Sequence, residues 1–135
     1  MPFIHSTEVN PAWIDYNGHM NDAQYSVFVT LANEQFIDSI GMGRTYLEAT
    51  GKTLYTVEMH IKYLSEVKLE NKLEARVHVA SQTSKSMNIK TDIYINGEKL
   101  AAEAEITYLH YDQNAKKVVD FTEGQLAKIN EARNW

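Results

Sequence analysis

Asp22–Ile40, D-A-Q-Y-S-V-F-V-T-L-A-N-E-Q-F-I-D-S-I, is the stretch on which the fold turns. Tyr25, Phe28, Val29, Ala32, Phe36, Ile37 and Ile40 recur at helical spacing and form one apolar stripe, with Asn33, Glu34 and Asp38 off it. Gly41 and Gly43 supply the stop. The spacing predicts one helix of about nineteen residues, ~28 Å long at 1.5 Å per residue. An aromatic stripe of this kind is usually the face a helix lays on a sheet.

A sheet is what the rest of the chain offers. Upstream, Phe3–Val9 alternates and predicts a first strand, which Pro11 ends. Downstream, Tyr46–Thr50 predicts a further helical turn closed by Gly51. Thr53–Leu64 sets Val57, Met59, Ile61 and Tyr63 against Thr56, Glu58, His60 and Lys62. Leu73–Thr83, Met87–Ile95 and Leu100–Tyr111 alternate in the same way, and Asn96-Gly97 signals a type I′ hairpin. Small alanines at 102 and 104 suit close packing under a helix. Thr122-Glu-Gly-Gln125 reads as a capping box for a short helix to about Ala132. The order is strand, helix, then four strands in meander, which predicts an antiparallel α+β domain with the helix across one sheet.

At 135 residues the chain is most simply one domain, 1–135, able to bury roughly two-thirds of its unfolded surface. It has no cysteine, so disulfides and thiolate metal sites are excluded, in keeping with a cytoplasmic protein. A net charge of −5 without a basic run argues against nucleic acid and anionic membrane as partners. No apolar run approaches the ~20 residues of a membrane span, and Met-Pro-Phe-Ile-His lacks the features of a signal peptide. One helix cannot cover the whole sheet, so a homo-oligomer is expected by edge pairing or face packing.

Chemistry concentrates just before the long helix, in W-I-D-Y-N-G-H-M-N-D-A-Q-Y, Trp13–Tyr25. Asp, Asn and Gly form turns, and Gly18 takes φ > 0 at little cost. Asn21 or Asp22 caps the helix that follows. A tight loop therefore delivers the Asp15 carboxylate to a helix N-terminus, whose free N–H groups suit an anion or a developing oxyanion. Trp13 reads as a core plug that orients this loop. On residue types alone, Asp15 is about twice as often a turn Asp as a catalytic one, and His19 is as often a backbone-satisfied loop residue as a direct participant.

D-Y-N-G-H-M-N at 15–21, with Tyr25 following, resembles the active-site loop of the hotdog-fold acyl-CoA thioesterases of the 4-hydroxybenzoyl-CoA thioesterase-like branch. Tyr55–Glu66, Y-T-V-E-M-H-I-K-Y-L-S-E, resembles a narrower group with the betainyl-CoA thioesterases and the thioesterase part of carnitine dehydrogenases. The similarity spans roughly Val9–Asp112, specific in the first half and loose in the second. It implies a hotdog fold, a curved antiparallel sheet around one central helix. It implies active sites at the interface of a homodimer, alone or within a homotetramer. It implies hydrolysis of an acyl-CoA, with the CoA thioester as substrate and no cofactor. It reverses the odds on Asp15, which becomes nucleophile or general base. His19 and Asn21 join it as catalytic candidates, with an oxyanion donor among the backbone N–H groups near Asp22. Tyr25, Glu58, His60 and Lys85 are candidates for substrate contact. Lys85 stands where the narrower group carries a basic residue, but that group's histidines in the same region are absent. Glu58 and His60 offer a metal two ligands and no third, so no metal is expected. His5, His78 and His110 read as strand residues without a role.

Two other functions compete. A hotdog enoyl-CoA hydratase carries its Asp and His five apart in a D-x-N-P-x-H loop, whereas Asp15 and His19 are four apart with Gly18 in place of the proline. A non-catalytic acyl-CoA-binding protein would leave an intact Asp15 beside a helix N-terminus without a use.

Overall fold

A computed structural model of the chain describes Met1–Trp135. Strand β1 (Phe3–Glu8) leads through a single 3-10 turn at Pro11–Trp13 into the polar loop. Helix α1 (Asp22–Ser39) follows, capped by Asn21, whose Oδ1 accepts the Ala23 N–H at 2.9 Å. Helix α2 (Arg44–Thr50) ends on Gly51 at φ 75°, where only glycine is at ease. Strands β2 (Lys52–Tyr63), β3 (Lys72–Gln82), β4 (Ser86–Ile95), β5 (Lys99–Asp112) and the short β6 (Lys117–Val118) then precede α3 (Glu123–Arg133). The capping box forms as expected: Thr122 Oγ1 accepts the Gln125 N–H at 3.1 Å, and Gln125 Oε1 accepts the Thr122 N–H at 3.0 Å. Asn96 and Gly97 both lie at positive φ, as a type I′ hairpin requires.

Every strand pairs antiparallel in one curved sheet of order β1-β3-β4-β5-β2, with β6 beside the end of β5. The core lies between the sheet and α1, whose seven predicted stripe residues are all buried. Ala102, Ala104 and Ile106 of β5 face into it.

Three sequence expectations need correction. First, the four later strands are not a simple meander, because β2 pairs with β5 rather than with β3. The connection after β2 is anchored across the end of the sheet instead of turning tightly. Leu64 and Ser65 N–H both donate to Ala101 O, and Val67 O accepts the Met20 N–H at 2.7 Å. Second, the inner face of β2, at the edge of the sheet, is only partly covered: Leu54 and Ile61 pack against the core, but Val57 is 53% exposed and Tyr63 52%. A bulge at Val57 also breaks its alternation. Glu58 and His60 sit opposite Thr107 and Glu105 on the face turned away from α1, but Thr56 pairs with buried Tyr108 on the inner face. Third, Asn33 is not off the buried stripe. It is fully buried, and its amide is taken up by Thr91 and Tyr108.

Candidate active site

The loop ahead of α1 is a miniature hairpin. Asp15 N–H donates to His19 O and Gly18 N–H to Asp15 O, each at 3.0 Å, while Ile14 and Met20 form a bridge. Gly18 closes the turn at φ 80°. Buried Met20 pins the hairpin to Val67, and Asn21 N–H donates to Trp13 O at 2.8 Å. Trp13 packs against the core. The loop is thus clamped at both ends, and its polar tip is presented over the start of α1.

The Asp15 carboxylate is half-buried. Oδ1 accepts the Asn17 N–H at 2.8 Å, and Oδ2 lies 3.5 Å from Asn21 Nδ2, at the outer limit of a hydrogen bond. One oxygen is therefore firmly held and the other only weakly. Within the first turn of α1 the Ala23 N–H is engaged by the Asn21 and Asp22 side chains, whereas the Asp22 N–H makes no hydrogen bond in the chain. That open donor and the Asp15 carboxylate line the same hollow, of about 550 Å³.

His19 Nε2 lies 3.1 Å from Glu66 Oε2 across the hollow. On the far wall Tyr25 and Tyr63 meet edge to face, ring centroids 4.9 Å apart. Tyr25 OH donates to Ser65 O at 3.4 Å and Tyr63 OH to Asp22 O at 3.3 Å. Burial raises the Tyr25 phenol above its ordinary value, only partly offset by the Val67 backbone and reinforced by Tyr63 and Glu66. Burial and the Asp22 charge raise Tyr63 likewise. Both are hydroxyl donors at neutral pH.

Asp15, His19, Asn21 and Tyr25 are thus brought together. Glu58, His60 and Lys85 are not near them in a single chain: the first two lie on the outer face of β2, and Lys85 sits in the β3–β4 turn, its carbonyl accepting the His110 N–H. Glu66, Tyr63 and Ser65 went unassigned by sequence reasoning. They close the second resembling stretch, but nothing local in it shows that Glu66 reaches back to His19. No group of three or more His, Asp or Glu side chains is gathered to hold a metal.

A second cavity, of about 350 Å³, lies at the other end of β2, under the C-terminal half of α1. Thr30, Glu34, Leu54, Thr56 and Tyr108 help line it.

One curved sheet around one helix, with a clamped carboxylate loop at the helix start, defines a class. Residues 9–129 match the family model of the Thioesterase-like superfamily. The chain is 31% identical over 126 residues to the betainyl-CoA thioesterase of Pseudomonas aeruginosa, covering 93% of this chain and 79% of that protein. It is 36% identical over 125 residues to the L-carnitine dehydrogenase/betainyl-CoA thioesterase of Rhizobium meliloti, covering 91% of this chain but only 25% of that longer protein. Among solved structures, a Staphylococcus aureus protein in complex with CoA superposes with a TM-score of 0.94 at 25% identity, over 99% of this chain and 85% of the other. A 1,4-dihydroxy-2-naphthoyl-CoA thioesterase from Synechocystis superposes at 0.85 with 15% identity, over 97% of both chains, which bears on the fold alone. The chain belongs to the Thioesterase-like superfamily, has the hotdog fold, and is a thioester hydrolase. No helix is long and apolar enough to cross a membrane.

Proposed function

We propose that this chain hydrolyses the thioester of a small acyl-CoA in the Asp15 hollow, releasing CoA and a carboxylic acid. The observation that carries the reading is the pairing, in one hollow, of a carboxylate with a loosely held oxygen and an open N–H at a helix N-terminus. The CoA-bound neighbour and the betainyl-CoA relatives support a CoA ester with a short acyl group.

The thioester carbonyl oxygen lies at the Asp22 N–H, where the helix dipole adds to the hydrogen bond as negative charge develops. Asp15 drives attack on the carbonyl carbon, either by taking a proton from water or by adding directly. Collapse of the tetrahedral species breaks the C–S bond, and the thiolate leaves to take up a proton. On the water route this gives the carboxylic acid directly. On the direct route it gives a mixed anhydride with Asp15, which a water then hydrolyses to free the acid and the Asp15 carboxylate. Asn21 fixes the helix start, and Glu66, 3.1 Å from His19 Nε2, holds the imidazole at the wall of the hollow. A single turnover in ¹⁸O-water that leaves ¹⁸O in Asp15 identifies direct addition, because only hydrolysis of the anhydride at its Asp15 carbonyl carbon puts solvent oxygen there. No metal takes part, so activity is expected to be the same with and without a chelator.

The functional unit is a homodimer formed through β2. This edge strand of twelve residues exposes Tyr55, Val57, Met59 and Tyr63, a length and character suited to pairing with its own copy. Free-thiol release from a panel of acyl-CoAs tests the activity. Hydration of an enoyl-CoA without release, or tight binding with neither, overturns it.

A further inference from the structure

Tyr108, which helps line the second cavity, carries a hydroxyl whose one hydrogen bond is with Asn33. Thr91 Oγ1 and Asn33 Oδ1 are 2.5 Å apart, at the short end of the range for a hydroxyl donating to a carbonyl oxygen and below that of an amide N–H. Asn33 Nδ2 and Tyr108 Oη are 3.0 Å apart, a length an N–H donor readily makes. The shorter of the two sets the direction of the relay. Thr91 donates to Asn33, Asn33 donates to Tyr108, and the Tyr108 O–H is left over. Tyr108 makes no other hydrogen bond, is 6% exposed, and lines the cavity. Burial, the largest influence on it, raises its phenol above the ordinary value, so it keeps its proton at any working pH.

In one chain this cavity is out of reach of Asp15. Tyr63, at the Asp15 hollow, and Thr56, at the cavity, are separated by seven residues of strand, about 23 Å. Antiparallel pairing of β2 with a second copy reverses one strand on the other. In a pair in full register the Tyr63 end of each copy meets the Thr53 end of its partner, which sets each Asp15 hollow beside the partner's cavity.

We propose that this cavity takes the acyl group and that Tyr108 selects acyl groups carrying a hydrogen-bond acceptor, such as a hydroxyl or keto oxygen. The inference rests on the hydrolase and dimer readings above. An acyl group with an acceptor completes the relay. A plain alkyl group shuts solvent out of the cavity and leaves a buried donor unpaired. Glu34, Asp38 and Arg44 also line the cavity without ion pairs among themselves, a further penalty on a long alkyl chain.

The test compares kcat/KM for butyryl-CoA and 3-hydroxybutyryl-CoA with the full chain. The expected preference for the hydroxylated ester is on the order of 10–100-fold, the range for one unpaired buried donor. Tyr108→Phe, shown to be folded and dimeric, should bring the two rates to within about threefold. Equal rates for the unaltered protein overturn the proposal whether or not the variant folds, as does a folded variant that keeps the preference. Failure to release CoA from any ester overturns the hydrolase reading itself, an outcome distinct from release without preference.

Discussion

Asp15 and Asn21 lie six residues apart and their side chains nearly touch, yet their substitutions should behave differently. Asp15→Asn keeps the acceptor for the Asn17 N–H, so the turn survives. It removes the charge that drives attack. Turnover should fall on the order of 10²–10⁴-fold with the unfolding midpoint little changed. A folded Asp15→Asn protein that turns over at the parent rate sinks the assignment, and Glu66 would then be the carboxylate to examine. Asn21→Ala removes the side chain that caps α1. It should cost about 0.5–2 kcal/mol in urea unfolding, with a smaller, indirect loss of rate. This division was legible in the sequence, because turn formers and a cap act over a few residues. The His19–Glu66 pair was not, since it depends on the anchored connection between β2 and β3 bringing remote residues together.

At the scale of elements, local patterns predicted the ends of α1, α3 and the five long strands to within a residue or so, because periodicity and capping are local; α2 begins two residues earlier than expected, and the two-residue β6 is too short to leave a pattern. They could not predict that β2 pairs with β5, because an alternating strand carries no record of its partner. Nor could they predict the bulge at Val57, which moves Thr56 to the inner face beside Tyr108. Asn33 escaped for a related reason. A polar residue is buried only when distant partners satisfy it, and both of its partners lie on strands far along the chain. The edge position of β2 leads to a prediction of its own. Val57 lies near the middle of the strand, so in a two-fold pair it approaches its own counterpart. Val57→Lys sets like charges together at the centre of that contact and adds lysine to an edge. Sedimentation should then give a monomer, and hydrolysis should fall with it, because the hollow loses the cavity opposite. A fully dimeric Val57→Lys protein would refute pairing through β2.

Across the whole molecule, one buried side chain ties three remote segments together. His110 of β5 stacks between Tyr46 of α2 and Phe121, which precedes α3, with centroids 5.9 and 4.7 Å away. Its Nε2 lies 2.8 Å from the Tyr46 OH and its Nδ1 3.2 Å from Asp120 O. A carbonyl only accepts, so Nδ1 carries the proton and Nε2 accepts from Tyr46 in the neutral ring. Burial lowers the His110 pKa below its ordinary 6.5, against the Asp120 and Val119 backbone and the Asp112 charge, which raise it, while Lys52 lowers it further. The unfolded chain therefore binds a proton at His110 before the folded one does. Between the lowered value and 6.5 the unfolded state holds more protons, so stability rises with pH across that window. The contribution is complete above 6.5 and is lost as pH falls through the folded value. Asp92, raised chiefly by burial, pulls the opposite way above 3.8, and Asp112, lowered by the Ala115 and Asn114 backbone, acts only in stronger acid. Comparison with His110→Gln removes both from the result, since they are common to the two proteins. Urea midpoints measured from pH 5 to pH 8 should rise more steeply for the parent than for His110→Gln, which should be less stable at pH 8. Parallel slopes would mean that His110 does not hold these segments through its neutral ring. Because Arg44 and Leu47 of α2 line the second cavity, hydrolysis of the preferred ester should weaken over the same acid range.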